Sequence, residues 1–531
     1  MTPVTQRFGS ALFWVLLGAL AIANLLVMWQ SLTVFRFWED EAFNLTVPLN
    51  LLAGLGYTSD GALSGSTLTP FDPRISTGAS VLLPVAAVLS LGVDPVIGAR
   101  LIPLAYWMLL LAGLGVLGRR IAGRWGALVA VALPLAFQTA GSNSPIQGPA
   151  DLLGEIPAAA LIVWALVVLP RRAWLAGLLF GLAIQAKLIA FIALPAFAVA
   201  LWALTPGRGW PRVWATLRRS VVPLSLAALP TLLMEVAAFV TLTTTGGLSA
   251  YVGHLRALRD FLLGGGQNVE TTSIAQKLTT LLDAWFVPLW ALALVAVVGV
   301  VVVVYATRVS RARAVHASGP ALGSAAQSPE ASPARAGAAP ARAAVAPRGD
   351  GQLMSANPQL LALGLSALIG LATFVGWWAQ ASHTPLWVRH PAPGVFAFAP
   401  ILVAFVVRGV QVLWRSPGAT RVLASVTAVV LAATLAVAAS LHVTAAFASG
   451  NETLAHQRIG VAAIAQWAED NDQHWLAAQP WGAAVPAVVL SGTHLGLFDA
   501  PAMANTPRLT GMPCEGETLV DTGPYRLCAA E

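Results

Sequence analysis

The chain has 531 residues, of which 57% are hydrophobic and only 10% are charged. A soluble protein carries charge on about a quarter of its residues, and it needs that charge on its surface. The composition therefore excludes a soluble globular protein, a coiled coil, a disordered chain and a small secreted disulfide module. It predicts an integral membrane protein.

Apolar segments recur along the chain at the length of a membrane-spanning helix, which is about 20 residues for about 30 Å of hydrocarbon. The first is too long for a signal peptide and lacks a small-residue cleavage site, so we expect an uncleaved anchor. Segment 75–92 is shorter and contains Pro84, and we interpret it as an interfacial or re-entrant helix. The sequence thus predicts an all-α polytopic membrane protein with about 11 transmembrane helices, at 9–30, 97–118, 124–141, 150–170, 173–186, 188–204, 220–243, 284–306, 358–381, 393–414 and 421–446.

Charge predicts the orientation of these helices. With the N-terminus inside, the loops on that side hold 19 basic residues and only two acids, which is the positive-inside asymmetry. Counting 75–92 as a full span would move Arg119, Arg120 and Arg124 to the other side. We therefore expect a cytoplasmic N-terminus and an extracytoplasmic C-terminus in a bacterial inner membrane. The net charge of +7 comes from the same loops and indicates anionic lipid, not nucleic acid.

The segments outside the predicted spans define the domain organisation. A transmembrane module, 1–446, contains a first outer loop at 31–96 with interfacial helices and a second outer loop at 244–283. Residues 307–357 are rich in Ala, Pro, Ser and Arg, and we expect a disordered cytoplasmic linker there. The remaining 447–531 is predicted to be a small extracytoplasmic α+β domain.

The C-terminal segment mixes helical and strand-like patterns. A helix is predicted around Ile459 to Trp467, and Pro486–Leu490 has the composition of a strand. Thr518–Asp521 and Tyr525–Cys528 flank a Thr-Gly-Pro turn, which predicts a hairpin.

Both cysteines of the chain, Cys514 and Cys528, lie in this C-terminal segment. An oxidising outer compartment favours a disulfide between them. The alternative is two unpaired thiols.

Three consecutive acids, Glu39, Asp40 and Glu41, follow the first span and lead into a predicted helix at Ala42–Leu52. Successive side chains on a helix point about 100° apart, so only one or two of the acids can face a common site. Such a carboxylate can act as a general base or bind a divalent cation. The alternative is a solvated helix start, where the dipole favours acids.

A second acidic pair, Asp151 and Glu155, lies at the outer start of the fourth predicted span. The residues are four apart and are expected on one helix face. Acids at the edge of a span are costly and are usually functional. The alternative is that Asp151 only caps the helix.

Cations face the same side in two places. Lys187, one of only two lysines, lies where two short spans meet, and it suits an anionic lipid headgroup unless it merely snorkels to the interface. Arg389 lies in a tight outer loop and can bind phosphate in a bidentate manner. His390 beside it is an isolated histidine, and the sequence contains no HExxH or Cys/His metal motif.

The order of these motifs resembles that of the GT-C glycosyltransferases, membrane enzymes that use polyprenyl-phosphate sugars. The resemblance covers most of 1–446 and is strongest to the branch with the protein O-mannosyltransferases and the lipid A aminoarabinose transferase. Residues 71–78 lack the paired prolines and aromatics typical of that branch, so the acceptor is not carried over. The matching segments are Asp40-Glu41, 91–94 with 99–103, 118–120, the glycine-rich 181–187 that ends in lysine, Arg389-His390-Pro391 and 396–400.

The resemblance implies that a sugar is transferred, with inversion, from a polyprenyl-phosphate donor to an acceptor hydroxyl on the outer face. Asp40 would be the base, and Glu41 would either face the site or support Asp40. Asp151 or Glu155 would orient the acceptor or a metal.

The resemblance also assigns the cations. Lys187 and Arg389, with His390 beside them, would stabilise the departing polyprenyl phosphate. The acceptor would be a glycan, a lipid or a protein, and the sequence neither requires nor excludes a divalent cation.

Two other functions remain as alternatives. A transporter or flippase would place ionisable groups at mid-span, where only Glu235 qualifies. A lipid-linked polysaccharide ligase or polymerase would also keep acids and arginines in outer loops. Its main catalytic loop would come late in the chain, whereas here the acids are concentrated in the first loop.

Overall fold

The computed structural model describes residues 3–61, 67–137, 145–263, 271–285, 357–381, 386–415, 418–448 and 452–530. Apolar helices dominate up to residue 446, and a small sheet follows. Short 3₁₀ helices lie at Leu133–Ala136 and Leu188–Ala193. The helices of this first part are α1 (Pro3–Thr33), α2 (Glu39–Leu52), α3 (Ala79–Leu89), α4 (Pro95–Ala132), α5 (Glu155–Val168), α6 (Ala173–Ala186), α7 (Leu194–Leu204), α8 (Gly209–Leu263), α9 (Ile274–Asp283), α10 (Pro358–Gln380), α11 (Ala392–Trp414) and α12 (Ala419–Ala446).

Six of the described helices are long and apolar enough to cross a membrane, namely α1, α4, α8, α10, α11 and α12. The apolar helices α3, α5 and α6 and the segment Leu188–Leu204 are shorter. The chain is thus a multi-pass, mainly helical membrane protein, while the predicted number of 11 spans is not confirmed. All but the first two residues of the predicted span 284–306, and the linker 307–357 apart from Asn357, lie outside the described residues.

The predicted span 97–118 and the first part of the predicted span 124–141 form the two arms of α4, which ends at Ala132. Residues 138–141 lie outside the described residues. The helix breaks at Ala122 and Gly123, and Gly123 has φ +66°, which a residue with a side chain rarely adopts. The helical segments therefore reverse direction beside the basic residues predicted to lie inside.

Helix α8 extends into the segment predicted as the second outer loop. Its first arm contains the predicted span 220–243, and it breaks at Gly247 (φ +70°). The helix then continues to Leu263, so the first part of the segment 244–283, predicted as an outer loop, is helical. The short helix α9 follows within the same region, and a reciprocal capping box between Ser273 and Gln276 starts it.

Helix α5 lies in the middle of the bundle, against α4, α6 and α11. Its side chains are buried except for Trp164 and Val168, which are partly buried. A helix that is apolar on all sides is stable only when neighbours cover every side, and the small residues Ala158, Ala159 and Ala160 let them approach closely. The start of α5, where Glu155 lies, is thereby fixed.

The C-terminal part is a mixed five-stranded sheet with two helices, α13 (Leu454–Asp470) and α14 (Val485–Leu490). The sheet order is β4-β3-β5-β7-β6, with β3 parallel to β4 and β5 and the other pairs antiparallel. Its strands, numbered after the short pair β1 (Thr58–Ser59) and β2 (Thr69–Pro70) of the first loop, are β3 (Trp475–Ala478), β4 (His494–Leu497), β5 (Arg508–Thr510), β6 (Thr518–Asp521) and β7 (Arg526–Cys528).

The structure confirms most of the C-terminal predictions. The predicted helix lies within α13, β6 and β7 form the predicted hairpin, and Cys514 is disulfide-bonded to Cys528. The strand predicted at Pro486–Leu490 is wrong, because these residues form α14. Parallel strands need a crossover, and α14 is the helix between β3 and β4. Its valines are buried, so their β-branched character follows from packing.

Candidate active site

The three acids after the first span occupy the first turn of α2, which begins three residues earlier than predicted, at Glu39. They point in different directions, as the helix geometry requires, and each faces a different arginine. The pairs are Glu39–Arg36 at 3.2 Å, Asp40–Arg389 at 2.5 Å and Glu41–Arg100 at 2.7 Å.

Asp40 and Arg389 form a buried ion pair. The two residues are only 6% and 5% exposed, and the Nη1 of Arg389 donates to the Oδ2 of Asp40. The guanidinium also lies 5.5 Å from the ring of Trp38 and 5.2 Å from the ring of Trp387. Arginine stacks on such rings, so aromatic side chains define where Arg389 can place its remaining donors.

Glu41 forms a second buried ion pair, with Arg100. Its two oxygens accept from the Nε and Nη2 of Arg100 at 3.0 and 2.7 Å, and both side chains are fully buried. One oxygen also accepts from the backbone N–H of Leu152 at 3.0 Å. Both oxygens of Glu41 thus accept bonds from the protein. Of its two predicted positions, this geometry matches the one that supports Asp40.

Glu155 and Lys187 form the second acid–cation pair, at 3.2 Å, with the carboxylate fully buried. Lys187 is the residue directly after α6, and Glu155 opens α5. Gly154, directly before Glu155, allows the two helix ends to approach, because a Cβ at this position would overlap the carbonyl oxygen of Ala186. The glycine thus brings the end of α6 against the start of α5.

Asp151 and Glu155 were predicted to share a helix face. This prediction is wrong, because α5 begins only at Glu155. The carboxylate of Asp151 instead accepts from the N–H groups of Gln147 and Gly148 at 2.5 and 3.2 Å, and so it shapes the loop before α5. Burial, followed by the nearby charge of Glu41, raises the pKa of Asp151 well above its ordinary value.

His390 lies among the cations. Burial and the charges of Arg389, Lys187 and Lys277 hold the pKa of its imidazole well below the ordinary value. At neutral pH the ring is therefore uncharged and has one N–H to donate.

Lys277 was missed in the sequence, although it is the only lysine besides Lys187. It lies on α9, is fully buried, and donates to the carbonyl oxygens of Trp378 and Ala381. Burial lowers its pKa to about 8. The scarcity of lysine was the available signal, but a position in a long loop gave no reason to place it near Arg389.

Several buried polar atoms around the ion pairs have no hydrogen-bond partner in the described part of the chain. Buried polar groups are nearly always paired, so atoms of this kind are natural contacts for a polar ligand. They are Trp38 Nε1, Arg389 Nε, His390 Nδ1 and both carboxylate oxygens of Glu155, which contacts Lys187 as an ion only.

The acid predicted at mid-span, Glu235, belongs to a second cluster. It pairs with Arg74 of the first outer loop, whose guanidinium also bonds Asp72 at 2.6 and 2.7 Å. Tyr251 donates to the other oxygen of Glu235 at 3.4 Å. This acid thus ties α8 to the outer loop.

Metal binding was also considered. Among the residues that the structure describes, no group of three or more His, Cys, Asp and Glu side chains is arranged to hold a metal ion. The acids of the site face arginine, lysine or backbone N–H groups.

These features define the fold, which is a multi-pass helical bundle with polar groups of the first outer loop at one end and a small C-terminal sheet domain. The fold is similar to that of ArnT from Cupriavidus metallidurans in the apo state, with a TM-score of 0.54 at 11% identity over 98% of both chains. The structure of that protein bound to undecaprenyl phosphate gives a TM-score of 0.54 at 12% identity over the same shares.

An oligosaccharyltransferase from Archaeoglobus fulgidus in the apo form aligns with 93% of this chain and 69% of its own, at 12% identity and a TM-score of 0.48. No protein-family model and no curated protein sequence matches the chain. The similarity therefore concerns the fold, and the chemistry must be argued from the site.

Proposed function

We propose that the chain is a membrane glycosyltransferase that transfers a sugar from a polyprenyl-phosphate donor to an acceptor hydroxyl on the extracytoplasmic face of a bacterial inner membrane. The observation that carries the proposal is a cluster of two acid–cation pairs, Asp40–Arg389 and Glu155–Lys187, from four separate segments. The two pairs lie close together, because the charges of both Asp40 and Glu155 act on Arg389. Two cations suit a lipid phosphate, and ArnT, which shares the fold, is described as bound to undecaprenyl phosphate.

The proposed reaction is a single displacement. The acceptor oxygen attacks the anomeric carbon while the bond from that carbon to the phosphate oxygen breaks, and the polyprenyl phosphate leaves with the electron pair. Asp40 takes the proton of the acceptor hydroxyl. Arg389 and Lys187 neutralise the charge that develops on the phosphate, and neutral His390 donates one further hydrogen bond.

The ion pairs add a condition to this reaction. While Arg389 donates to Asp40, the carboxylate is held and the guanidinium has fewer donors for phosphate. A bound phosphate competes for Arg389 and releases Asp40, so the base becomes available when the donor is in place. In the same way, phosphate draws Lys187 from Glu155, which then orients the acceptor, with Asp151 shaping the loop beneath it.

Mass spectrometry of membrane lipids from a deletion strain tests the function. A polyprenyl-phosphate sugar should accumulate when the protein is absent, disappear with the wild-type chain and persist with Asp40→Asn. Glu39→Gln is the matched control, because Glu39 pairs with Arg36 and not with the cations of the site, and it should restore the wild-type lipids.

Two results would contradict the proposal. Lipids identical to those of the wild type in the deletion strain would exclude this donor. Accumulation of a lipid that carries a long glycan would favour a ligase or polymerase.

A further inference from the structure

We infer that the C-terminal domain positions the helix that carries Asp40, and that Gln457 on α13 is the positioning residue. The inference rests on the proposed role of Asp40 as the base. It assigns a function to 447–531, a segment for which neither the motifs nor the ion pairs supply one.

Gln457 holds the backbone immediately before the acids. Its Oε1 accepts from the N–H of Phe37 at 2.6 Å, and its Nε2 donates to the C=O of the same residue at 2.8 Å. Gln457 is fully buried and Phe37 is 1% exposed, although the two are 420 residues apart in the chain. A reciprocal pair of buried bonds fixes both the position and the rotation of a peptide, and Asp40 lies only three residues further on.

Adjacent bonds extend this contact. The N–H of Leu454 donates to the C=O of Val34 at 3.1 Å, and Phe35 and Thr453 form an antiparallel bridge. The segment between α1 and α2 is therefore held by the start of α13 along its length. The bundle holds the same segment from its other side, because Arg100 on α4 donates to the carbonyl oxygens of Phe35 and Arg36 at 2.9 Å each. In the described part of the chain, only the bonds from α13 reach Phe37, the residue nearest to the acids among those held.

The same domain holds the far end of α2. Asp60 accepts from Asn50, at the end of α2, at 2.8 Å and from the N–H of Leu495, in β4, at 2.9 Å. In the middle of the helix, the ring of Phe43 lies 4.3 Å from that of Trp481. Both ends of the helix that carries Asp40 are thus held by contacts with the C-terminal domain. A shift of about 1 Å in a catalytic group can lower a rate about 100-fold.

The test uses the full chain in proteoliposomes and three variants. Gln457→Met keeps the size of the side chain but removes both bonds to Phe37, and Gln457→Glu keeps the acceptor for the Phe37 N–H. Arg458→Met is the matched control, since Arg458 is the next residue on α13 and bonds the exposed Asp94 at 2.6 Å instead of α2.

We expect Gln457→Met to lower kcat for sugar transfer at least about tenfold, with the donor KM changed less than about twofold. Gln457→Glu should lie between this variant and the wild type, and Arg458→Met should stay within about twofold of the wild type. Amide hydrogen exchange of 34–44 should increase in Gln457→Met. An unchanged kcat in Gln457→Met would overturn the inference, and so would an equal loss in Arg458→Met, which would indicate a general loosening of the domain.

A rescue experiment covers the case in which Gln457→Met folds poorly. Phe35 and Thr453 are bridge partners, and partners of this kind lie about 4.5–5.5 Å apart at Cα, a separation that a disulfide can span. Oxidative cross-linking of Phe35→Cys with Thr453→Cys should restore kcat in the Gln457→Met background. If the cross-link forms and kcat does not recover, the positioning role is wrong. If Asp40→Asn is active, it is the proposed function that fails instead.

Discussion

Asp40 and Arg389 lie 349 residues apart in the chain, and their side chains form an ion pair of 2.5 Å. The pair joins the first turn of α2 to the turn before α11, two segments that are brought together only by the folded bundle. In the proposed reaction its two members act on opposite sides of the anomeric carbon, one at the bond that forms and the other at the bond that breaks. Asp40 takes the proton from the entering oxygen, and Arg389 neutralises the leaving one.

Arg389→Met should weaken binding of undecaprenyl phosphate at least about tenfold, because charge-assisted hydrogen bonds contribute about 1.5–3 kcal/mol each. It should also lower the thermal stability, since Asp40 loses its cation inside the protein. Adding Asp40→Asn should recover part of the stability but none of the affinity. Arg408→Met, near the other end of α11, is the control and should leave the affinity unchanged. Equal affinities of Arg389→Met and the wild type would contradict the assignment.

Glu41→Gln should destabilise the protein strongly, because it leaves the fully buried Arg100 without its counter-charge. Breaking a buried pair costs about 3–5 kcal/mol. The neighbouring Glu39→Gln breaks a partly buried pair in which the Arg36 side chain is still 30% exposed, so it should cost clearly less than Glu41→Gln. Thermal unfolding in lipid nanodiscs compares the two variants. Similar melting temperatures for both would show that Glu41 is not the structural acid we infer.

The contact between His494 and Asp60 should depend on pH. Its hydrogen bond to Asp60 raises the pKa of His494 above the ordinary 6.5. A raised folded pKa stabilises the fold fully below the unfolded value, and the contribution is lost as the pH rises through the folded value. The difference in melting temperature between the wild type and His494→Gln should therefore be larger at about pH 5.5 than at about pH 8.5.

A constant difference across that pH range would exclude this linkage. His456→Gln, an exposed histidine on α13, is the control. Its melting temperature should follow that of the wild type throughout.

The disulfide should stabilise the C-terminal domain. Cys514 and Cys528 are separated by 14 positions, and closing a loop of that size contributes about 3 kcal/mol by limiting the unfolded chain. Cys514→Ser with Cys528→Ser should lower the opening free energy of β6 and β7 by about that amount. Hydrogen exchange of the β7 amides measures it, and unchanged protection would contradict the estimate.

The sequence was sufficient for those features that depend on local pattern. Apolar length predicted the helices, and the scarcity of charge singled out Asp40, Glu155, Lys187 and Arg389, because an ionised group is costly beside a membrane and needs a partner. The hairpin of β6 and β7 likewise followed from alternation around a turn.

The partners of these groups could not be predicted, since they depend on the order in which helices pack. Glu41 and Asp40 are adjacent in sequence, but Glu41 pairs with Arg100 and Asp40 pairs with Arg389. Their proposed roles differ because of these partners. Lys277 lies on α9, within a predicted loop, and its charge acts on His390. Gln457 carried no signal at all, because an uncharged amide in a polar domain is ordinary until its two bonds to Phe37 are known.

The most direct test of the central claim is the binding of undecaprenyl phosphate to Asp40→Asn, measured together with sugar transfer. If Asp40 is the base and phosphate competes with it for Arg389, the variant should lose transfer at least about 100-fold, as loss of a general base does, while it binds the lipid phosphate as tightly as the wild type or more tightly. Transfer at the wild-type rate, or a loss of lipid-phosphate binding in Asp40→Asn, would contradict the account.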